Sequence, residues 1–413
     1  MQVYKFGGIS VENADAIKNI SKIIRNANTN IIVVISAMGK MTNKFEQLVS
    51  LYLSKKDYST VLSEIKEYHN NIIDELFTNS QSIYSKTNSL FNKLENKLCE
   101  SISSNSDYEY DKLIVYGELL STTIVSEYLK ELNIKNTWID IRENIITDGF
   151  YRDGRVLWDE TQNNLTQNIL NKSIVVTQGF IASDMHGNSV TLGREGSDFT
   201  ASIIAYCINA DSVTIWKDVP GILTADPRIF NDTKKIDNLN YKETVELAYY
   251  GAQVIHPKTI KPLQNKKIPL YVKSFKTPTT SGTLINNDKI KISSPIIILK
   301  KNQVLISISP KDFSFIDETN ISKIYTALAE LKIKVNLMEN SAVSFSIVTD
   351  NSNKIDLFIN KLKKYYSIKY NTNLELLTIR HYTKDKIAEL LNNKEVLVEQ
   401  KTRYTARYVV KNN

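Results

Sequence analysis

Along the first forty residues the spacing of apolar positions changes twice. Val3 to Phe6 reads as a strand, Gly7 and Gly8 as a turn, and Val11 to Arg25 as a helix whose apolar residues Ala14, Ile17, Ile20 and Ile24 recur at helical intervals. Ile31 to Ile35 is an unbroken β-branched run, which suits a strand covered on both faces. Strand, helix, strand is the unit of a parallel sheet. From Leu48 to Glu131 the spacing is mainly helical, with a Ser/Asn-rich stretch at Ser101 to Asp107 that reads as a solvated turn. Ser173 to Val176 and Ser212 to Ile215 form two more short apolar strands, the second preceded by a helix-like segment from Phe199 to Ile208. The expected fold is an α/β sandwich.

The pattern changes again after Ser274. Ser274 to Pro295 gathers Pro278, Gly282 and several Ser, Thr and Lys, the composition of a domain joint. This sets domains at 1–291 and 292–413. The second domain reads as strand Val304 to Ser309, helix Ile321 to Leu331, strand Lys334 to Leu337, strand Ala342 to Thr349, helix Lys354 to Lys364 and strand Leu374 to Ile379. That order, βαββαβ, is a small ferredoxin-like α+β unit. Thr383 to Tyr408 then adds one helix and two strands, too little for a second complete copy.

Composition narrows the function classes. A chain of 413 residues holds two ordinary domains with ample core. The apolar run Ile31 to Ala37 falls well short of the roughly 20 residues that span a bilayer, and Met1 passes into Val3, Tyr4 and Lys5 without a signal-peptide pattern. No membrane segment is expected, and the cytoplasm is the expected compartment. Cys99 and Cys207 show no CxxC spacing, and His69, His186, His256 and His381 stand singly, so a structural zinc site is not expected. The net charge of +7 comes from 52 basic and 45 acidic residues spread along the chain. It suits attraction to anionic substrates, and no nucleic-acid-binding signature accompanies it.

Candidate chemistry lies in four glycine-bearing turns. None is a GxxxxGK[ST] P-loop or a GxGxxG dinucleotide fingerprint. The first, Lys5 to Ser10, joins the first strand to the first helix. Gly7 and Gly8 would let backbone N–H groups approach phosphate oxygens while Lys5 adds a full charge, although such a turn equally suits a plain strand-to-helix reversal. The second is Ser36 to Asn43 and the third Thr191 to Asp198, both at strand-to-helix junctions, where ligands of open α/β sheets bind. The fourth runs from Trp216 through Lys217, Asp218 and Gly221 to Thr224, Asp226 and Arg228. Its aspartates suit turn caps with Arg228 paired at the surface; as a set they also suit nucleotide binding.

In these turns the sequence resembles the aspartate kinases. Lys5 to Ser10 matches their KFGGTS signature with Ile9 for the usual Thr, and Ser36 to Asn43, Gly117 to Ser121, Leu192 to Asp198, Asp218 to Arg228 and Phe275 to Ile285 match in order. The resemblance covers nearly all of residues 1 to 290. It implies the amino-acid-kinase fold, a three-layer α/β/α sandwich with a mainly parallel sheet, and phosphoryl transfer from ATP, with Mg²⁺, to the side-chain carboxylate of L-aspartate. By the same resemblance Lys5 and Asp198 are catalytic, and Thr42, Glu118, Arg194 and Ser197 hold aspartate. ATP would meet Lys5, Gly7, Gly8, Ser10, Lys217, Asp218, Leu223, Arg228 and Gln253. No metal ligand among the side chains is implied. Leu223 stands where many relatives have Tyr, Gln253 where many have Lys, and Glu195 where Gly is frequent, so nucleotide contacts are expected to be weaker or rearranged. His256 is expected to have a structural role at a helix end.

Residues 292 to 413 resemble the ACT-type regulatory modules that follow this kinase domain, here one full module and an abbreviated second. The resemblance implies a homodimer and feedback control by lysine or threonine, with Met338 and Ser341 as effector positions. Ala342 stands where many relatives carry Glu. The alternatives are a plain dimerisation platform for the tail and, for the whole chain, another kinase of the superfamily or a catalytically silent amino-acid-binding regulator. A single activity is expected.

Overall fold

A computed structural model of the chain describes residues 1–413 apart from Asn28, Gln253, Val254, Lys291, Ser293, Phe313 and Asn413. Gln253 and the expected boundary at 291 therefore lie outside the described residues. The chain divides into two compact units that are interleaved in sequence. The first takes residues 1–222, 235–245 and 253–290; the second takes 223–234, 246–252 and 291–413.

The first unit is built on an eight-stranded sheet in the order Thr137–Ile139, Ile174–Gln178, Ile31–Ile35, Gln2–Phe6, Ser212–Lys217, Leu270–Ser274, Thr283–Asn286, Asn238–Asn240. Every neighbouring pair is parallel except Leu270–Ser274 with Thr283–Asn286. All five residues of Ile31–Ile35 are fully buried, as a β-branched central strand requires. The first helix, Ala14–Arg25, starts later than its apolar spacing predicts. Residues Gly8–Val11 form a 3₁₀ turn, and Asn13 caps the helix by accepting from the Ala16 N–H at 2.9 Å. Thr283–Asn286 is a strand inside the stretch whose Ser/Thr/Gly composition reads as a joint. Its short length and polar flanks hid it.

The second unit is a six-stranded antiparallel sheet in the order Val335–Asn340, Phe345–Asp350, Ile296–Pro310, Tyr366–Arg380, Thr405–Asn412, Lys394–Lys401. Its two fifteen-residue strands are shared between two modules, with the register shift between Lys300 and Gln303 marking the change. The first module pairs the far half of Ile296–Pro310 with Tyr366 to Asn371. Its core is Val304, Ile306, Ile308, Ile324, Leu328, Phe345, Ile347 and Phe358. Leu374 to Ile379, expected as the last strand of that module, instead opens the second one. The mistaken assignment has a physical cause: the alternation Tyr366, Ile368, Tyr370 is short and runs into the exposed polar Asn371 to Asn373, so it is a weak strand signal beside Leu374 to Ile379.

The second module is less abbreviated than the sequence suggests, because it borrows Ile296 to Lys300 as a fourth strand. Among the described residues it has one helix, Lys384–Leu391, where a complete ferredoxin-like unit has two. Ala225 and Phe230, from the inserted segment 223–234, join Ile297, Leu377, Ile379 and Tyr408 in its core. Thr224 ties that segment to the sheet, its carbonyl accepting from the Ile297 N–H at 2.7 Å. Among the described residues no helix is long and apolar enough to cross a membrane.

Candidate active site

In the first unit, the C-terminal ends of Gln2–Phe6, Ile31–Ile35 and Ser212–Lys217 open into a cleft of about 640 Å³. Its lining brings together Lys5, Gly7, Gly8, Ser10, Thr42, Arg194, Ser197, Asp198, Lys217 and Asp218 from four separate turns and Glu118 from helix Tyr116–Glu131. The turns interlock closely. A β-carbon on Gly8 would lie 2.6 Å from the Gly39 carbonyl oxygen, so only glycine lets the first turn meet the second.

Lys5 reaches from the end of its strand to the first turn of helix Gly196–Ile208, where its Nζ lies 2.7 Å from Asp198 Oδ1. The contact is a close ion pair between two largely buried side chains. Burial alone would raise the Asp198 pKa. Lys5 and then Lys217 outweigh that penalty and hold the carboxyl below its usual range, so Asp198 stays ionised. Its position in the first turn of the helix adds the favourable end of the helix dipole.

Glu118 shows the opposite balance. It lies in the first turn of Tyr116–Glu131 and is 2 % exposed. Oε1 accepts one long hydrogen bond, 3.4 Å, from the Ala37 N–H, and Oε2 has no partner. Burial pushes its pKa up to about 8. A buried carboxyl with an open oxygen in a cleft wall is a receptor for a cation. Arg194 is exposed at the same cleft and makes no hydrogen bond or ion pair among the described residues, which leaves its fork open to a carboxylate.

Several lining residues carried no sequence signal. Phe180 adopts φ 73°, a strained conformation for a bulky residue. It is pinned by its N–H donating to Thr200 Oγ1 at 3.0 Å and its carbonyl accepting from Leu192 N–H at 2.8 Å. Tyr110 donates to Glu46 at 2.9 Å, and the Arg152 guanidinium lies 4.0 Å from the Tyr110 ring centre. Beneath them Asp111, fully buried, accepts from the N–H groups of Arg152 and Thr191 at 2.8 and 2.9 Å and from Thr191 Oγ1 at 2.8 Å. It thereby ties two loops of the cleft wall together, while burial raises its pKa to about 6. Glu195, the charge that stands where Gly is frequent in relatives, is in the cleft lining. It caps the helix at φ 53°, and its Oε2 accepts from the His256 N–H at 3.0 Å. His256 itself caps helix Pro257–Lys266, the structural role expected for it.

Leu223 and Arg228 belong to the second unit, where Arg228 forks onto Asp226 at 3.0 and 2.7 Å. Of the effector candidates, Met338 lines a second-unit cavity of about 590 Å³ with Ile321, Tyr325 and Phe345, and Tyr325 donates to its sulfur at 2.9 Å. Ser341 closes the adjacent turn, its Oγ lying 2.8 Å from Ser344 Oγ. Among the described residues no group of three or more His, Cys, Asp or Glu could hold a metal.

The profile of the Amino acid kinase family matches residues 1–274. Lysine-sensitive aspartokinase 3 of Escherichia coli K12 is 32 % identical over 370 residues, 84 % of this chain and 78 % of that protein. The crystal structure of E. coli aspartokinase III in complex with aspartate and ADP superposes with a TM-score of 0.81 at 26 % identity, covering 99 % of this chain and 96 % of the other. The same enzyme in complex with lysine and aspartate gives 0.83 at the same identity and coverage.

Proposed function

The chain belongs to the aspartokinases of the amino acid kinase family, and we propose that Lys5 and Asp198 carry its phosphoryl transfer while Glu118, Arg194, Thr42 and Ser197 hold the acceptor. The reaction moves the γ-phosphoryl group of ATP to the side-chain carboxylate of L-aspartate, giving 4-phospho-L-aspartate, in amino-acid biosynthesis. We place this one activity on the 413 residues, in the cytoplasm.

The observation that carries the assignment of acceptor residues is the open, buried oxygen of Glu118. It calls for a cationic group on the substrate. Free aspartate brings an α-ammonium; a nucleoside monophosphate or an N-acylated amino acid does not. With the ammonium on Glu118, Arg194 takes a carboxylate as a bidentate pair.

A carboxylate nucleophile of pKa about 3.9 is already ionised at neutral pH, so no general base is needed. Catalysis reduces to aligning the two substrates and cancelling charge on the transferring group. Lys5 supplies a cation at the glycine turn, lying close enough to Gly7 that a β-carbon there would sit 3.5 Å from Nζ. Asp198, ionised and 4 % exposed, orients that cation instead of accepting a proton. Mg²⁺ fits this cleft as an ion carried by the nucleotide. Asp218 would offer it one carboxylate, and the ion would supply further charge neutralisation.

For the second unit the reading is regulatory: a lysine-type effector in the Met338 cavity, and a homodimer formed along the edge strand Val335–Asn340. The deciding experiment incubates the protein with MgATP and aspartate, traps acyl phosphate with hydroxylamine and repeats with glutamate. Hydroxamate from aspartate is expected; its absence would sink the assignment. Titrating lysine, threonine and methionine into the same assay tests the effector, and inhibition by none of them would leave the second unit a dimerisation platform.

A further inference from the structure

Arg407 lies in the middle of strand Thr405–Asn412 and is 8 % exposed. Its Nη2 donates to the Asn336 carbonyl oxygen at 2.6 Å and its Nε to Thr378 Oγ1 at 3.4 Å, while the guanidinium carbon is 4.9 Å from the Tyr250 ring centre. All three partners are neutral. Among the described residues no carboxylate is within ion-pair distance of Arg407, and its Nη1 has no hydrogen-bond partner. The acidic groups nearby are already engaged: Glu246 faces Arg380 at 3.6 Å, and Asp350 accepts from Gln303 and Asn336. An arginine stays charged at any physiological pH, and burying that charge without a counter-ion is costly.

Beside this guanidinium is a cavity of about 530 Å³ within the second unit. Its walls are apolar on the side of Leu328, Ile333, Val335 and Leu337, and aromatic on the side of Tyr249 and Tyr250. No aspartate or glutamate is in the lining. We propose that this cavity binds a small monocarboxylic acid with an apolar body, its carboxylate on the Arg407 fork and its body against the Leu328 wall. One guanidinium balances one negative charge, so a phosphate dianion would be left partly unmatched. A free amino acid would bring an ammonium for which the lining holds no acid. The ligand thus differs in class from an amino-acid effector in the neighbouring cavity, which shares Tyr325, Met338 and Gln400 with this one.

Isothermal titration of the full-length protein with 4-methylpentanoate tests this, with leucine and inorganic phosphate as the ammonium-bearing and dianionic alternatives. Saturable binding of one 4-methylpentanoate per chain is expected, at least tenfold tighter than leucine or phosphate. Arg407→Leu should weaken it at least tenfold. Ala329→Trp, on the exposed face of helix Glu318–Glu330 at the cavity wall, should do the same with Arg407 intact, so the test holds even where Arg407→Leu fails to fold. Absence of saturable binding, tighter binding of leucine or phosphate, or undiminished binding in Ala329→Trp overturns the proposal.

Discussion

In the first unit the key cation, Lys5, meets its carboxylate at 2.7 Å at the end of a strand, under a cleft formed by turns. In the second unit the key cation, Arg407, sits mid-strand and is held by a carbonyl oxygen, a hydroxyl and a ring. The difference reflects what each place in a fold can do. Strand ends in a parallel sheet converge with glycine turns and helix N-termini, so charge there is compensated locally and faces a ligand. A mid-strand charge depends on whatever the antiparallel neighbours and packed loops bring to it.

The sharpest break in this comparison is Lys5→Ala. It should lower kcat by on the order of 10³-fold, as expected for loss of a cation aimed at the transferring group. Because it leaves Asp198 buried without its partner, the double variant Lys5→Met/Asp198→Asn should recover thermal stability without recovering turnover. Normal turnover in Lys5→Ala would remove Lys5 from the chemistry.

Next in size is Glu118→Gln. A charge-assisted hydrogen bond contributes about 1.5–3 kcal/mol, so the KM for aspartate should rise roughly tenfold to a hundredfold while the KM for ATP holds. The pH dependence has a definite sign. The Glu118 pKa is raised from 4.5 to about 8 in the empty cleft, and an ammonium binds only the ionised form. Aspartate binding therefore releases a proton, and its KM should fall by up to about tenfold per pH unit as pH rises from 6 towards 8. For folding the sign reverses: stability of the ligand-free protein is full below pH 4.5 with respect to this group and is lost as pH rises through about 8. Glu118→Gln should flatten both profiles, and an unchanged KM slope in that variant would show that another group titrates.

Asp111→Asn should have a smaller effect. The amide keeps one acceptor oxygen but puts an NH₂ where carboxylate oxygens now receive three donors, so the two loops it joins should loosen. We expect the KM for aspartate to rise roughly tenfold, from a loss of about 1–2 kcal/mol, with kcat near its starting value. A fall in kcat alone would place Asp111 outside substrate positioning.

The two regions also differ in how far they could be read from the chain. Lys5, Gly8, Glu118, Arg194 and Asp198 sit in short motifs whose glycine, charge and helix-start chemistry is local, and the cleft gathers all of them. Tyr110, Asp111, Arg152 and Phe180 were not legible. Their part in the cleft comes from contacts such as Asp111 to Thr191, eighty residues apart, and from a backbone conformation of Phe180 that its type does not announce. The second module was obscured for a related reason. Its fourth strand, Ile296 to Lys300, precedes the whole first module in sequence, and the residues that complete its core, Ala225 and Phe230, come from a loop read as part of a nucleotide site.

The smallest kinetic effect is expected from Asn336→Ala, and it tests the independence of the two regions most directly. Asn336 is 6 % exposed; its Oδ1 accepts from Lys300 at 2.8 Å, and its Nδ2 donates to Gln303 at 2.8 Å and Asp350 at 3.0 Å. The Arg407 contact is to its backbone carbonyl and survives the substitution. Truncation leaves buried Gln303 without one partner, a cost on the order of 2 kcal/mol, which for a unit of this size lowers its melting temperature by several degrees. Urea unfolding should show that loss while kcat and both KM values stay within about twofold. A parallel loss of turnover would mean that the polar centre of the second sheet supports the chemistry of the first, and the contrast between a locally compensated cleft and a second unit held by its own neighbours would no longer hold.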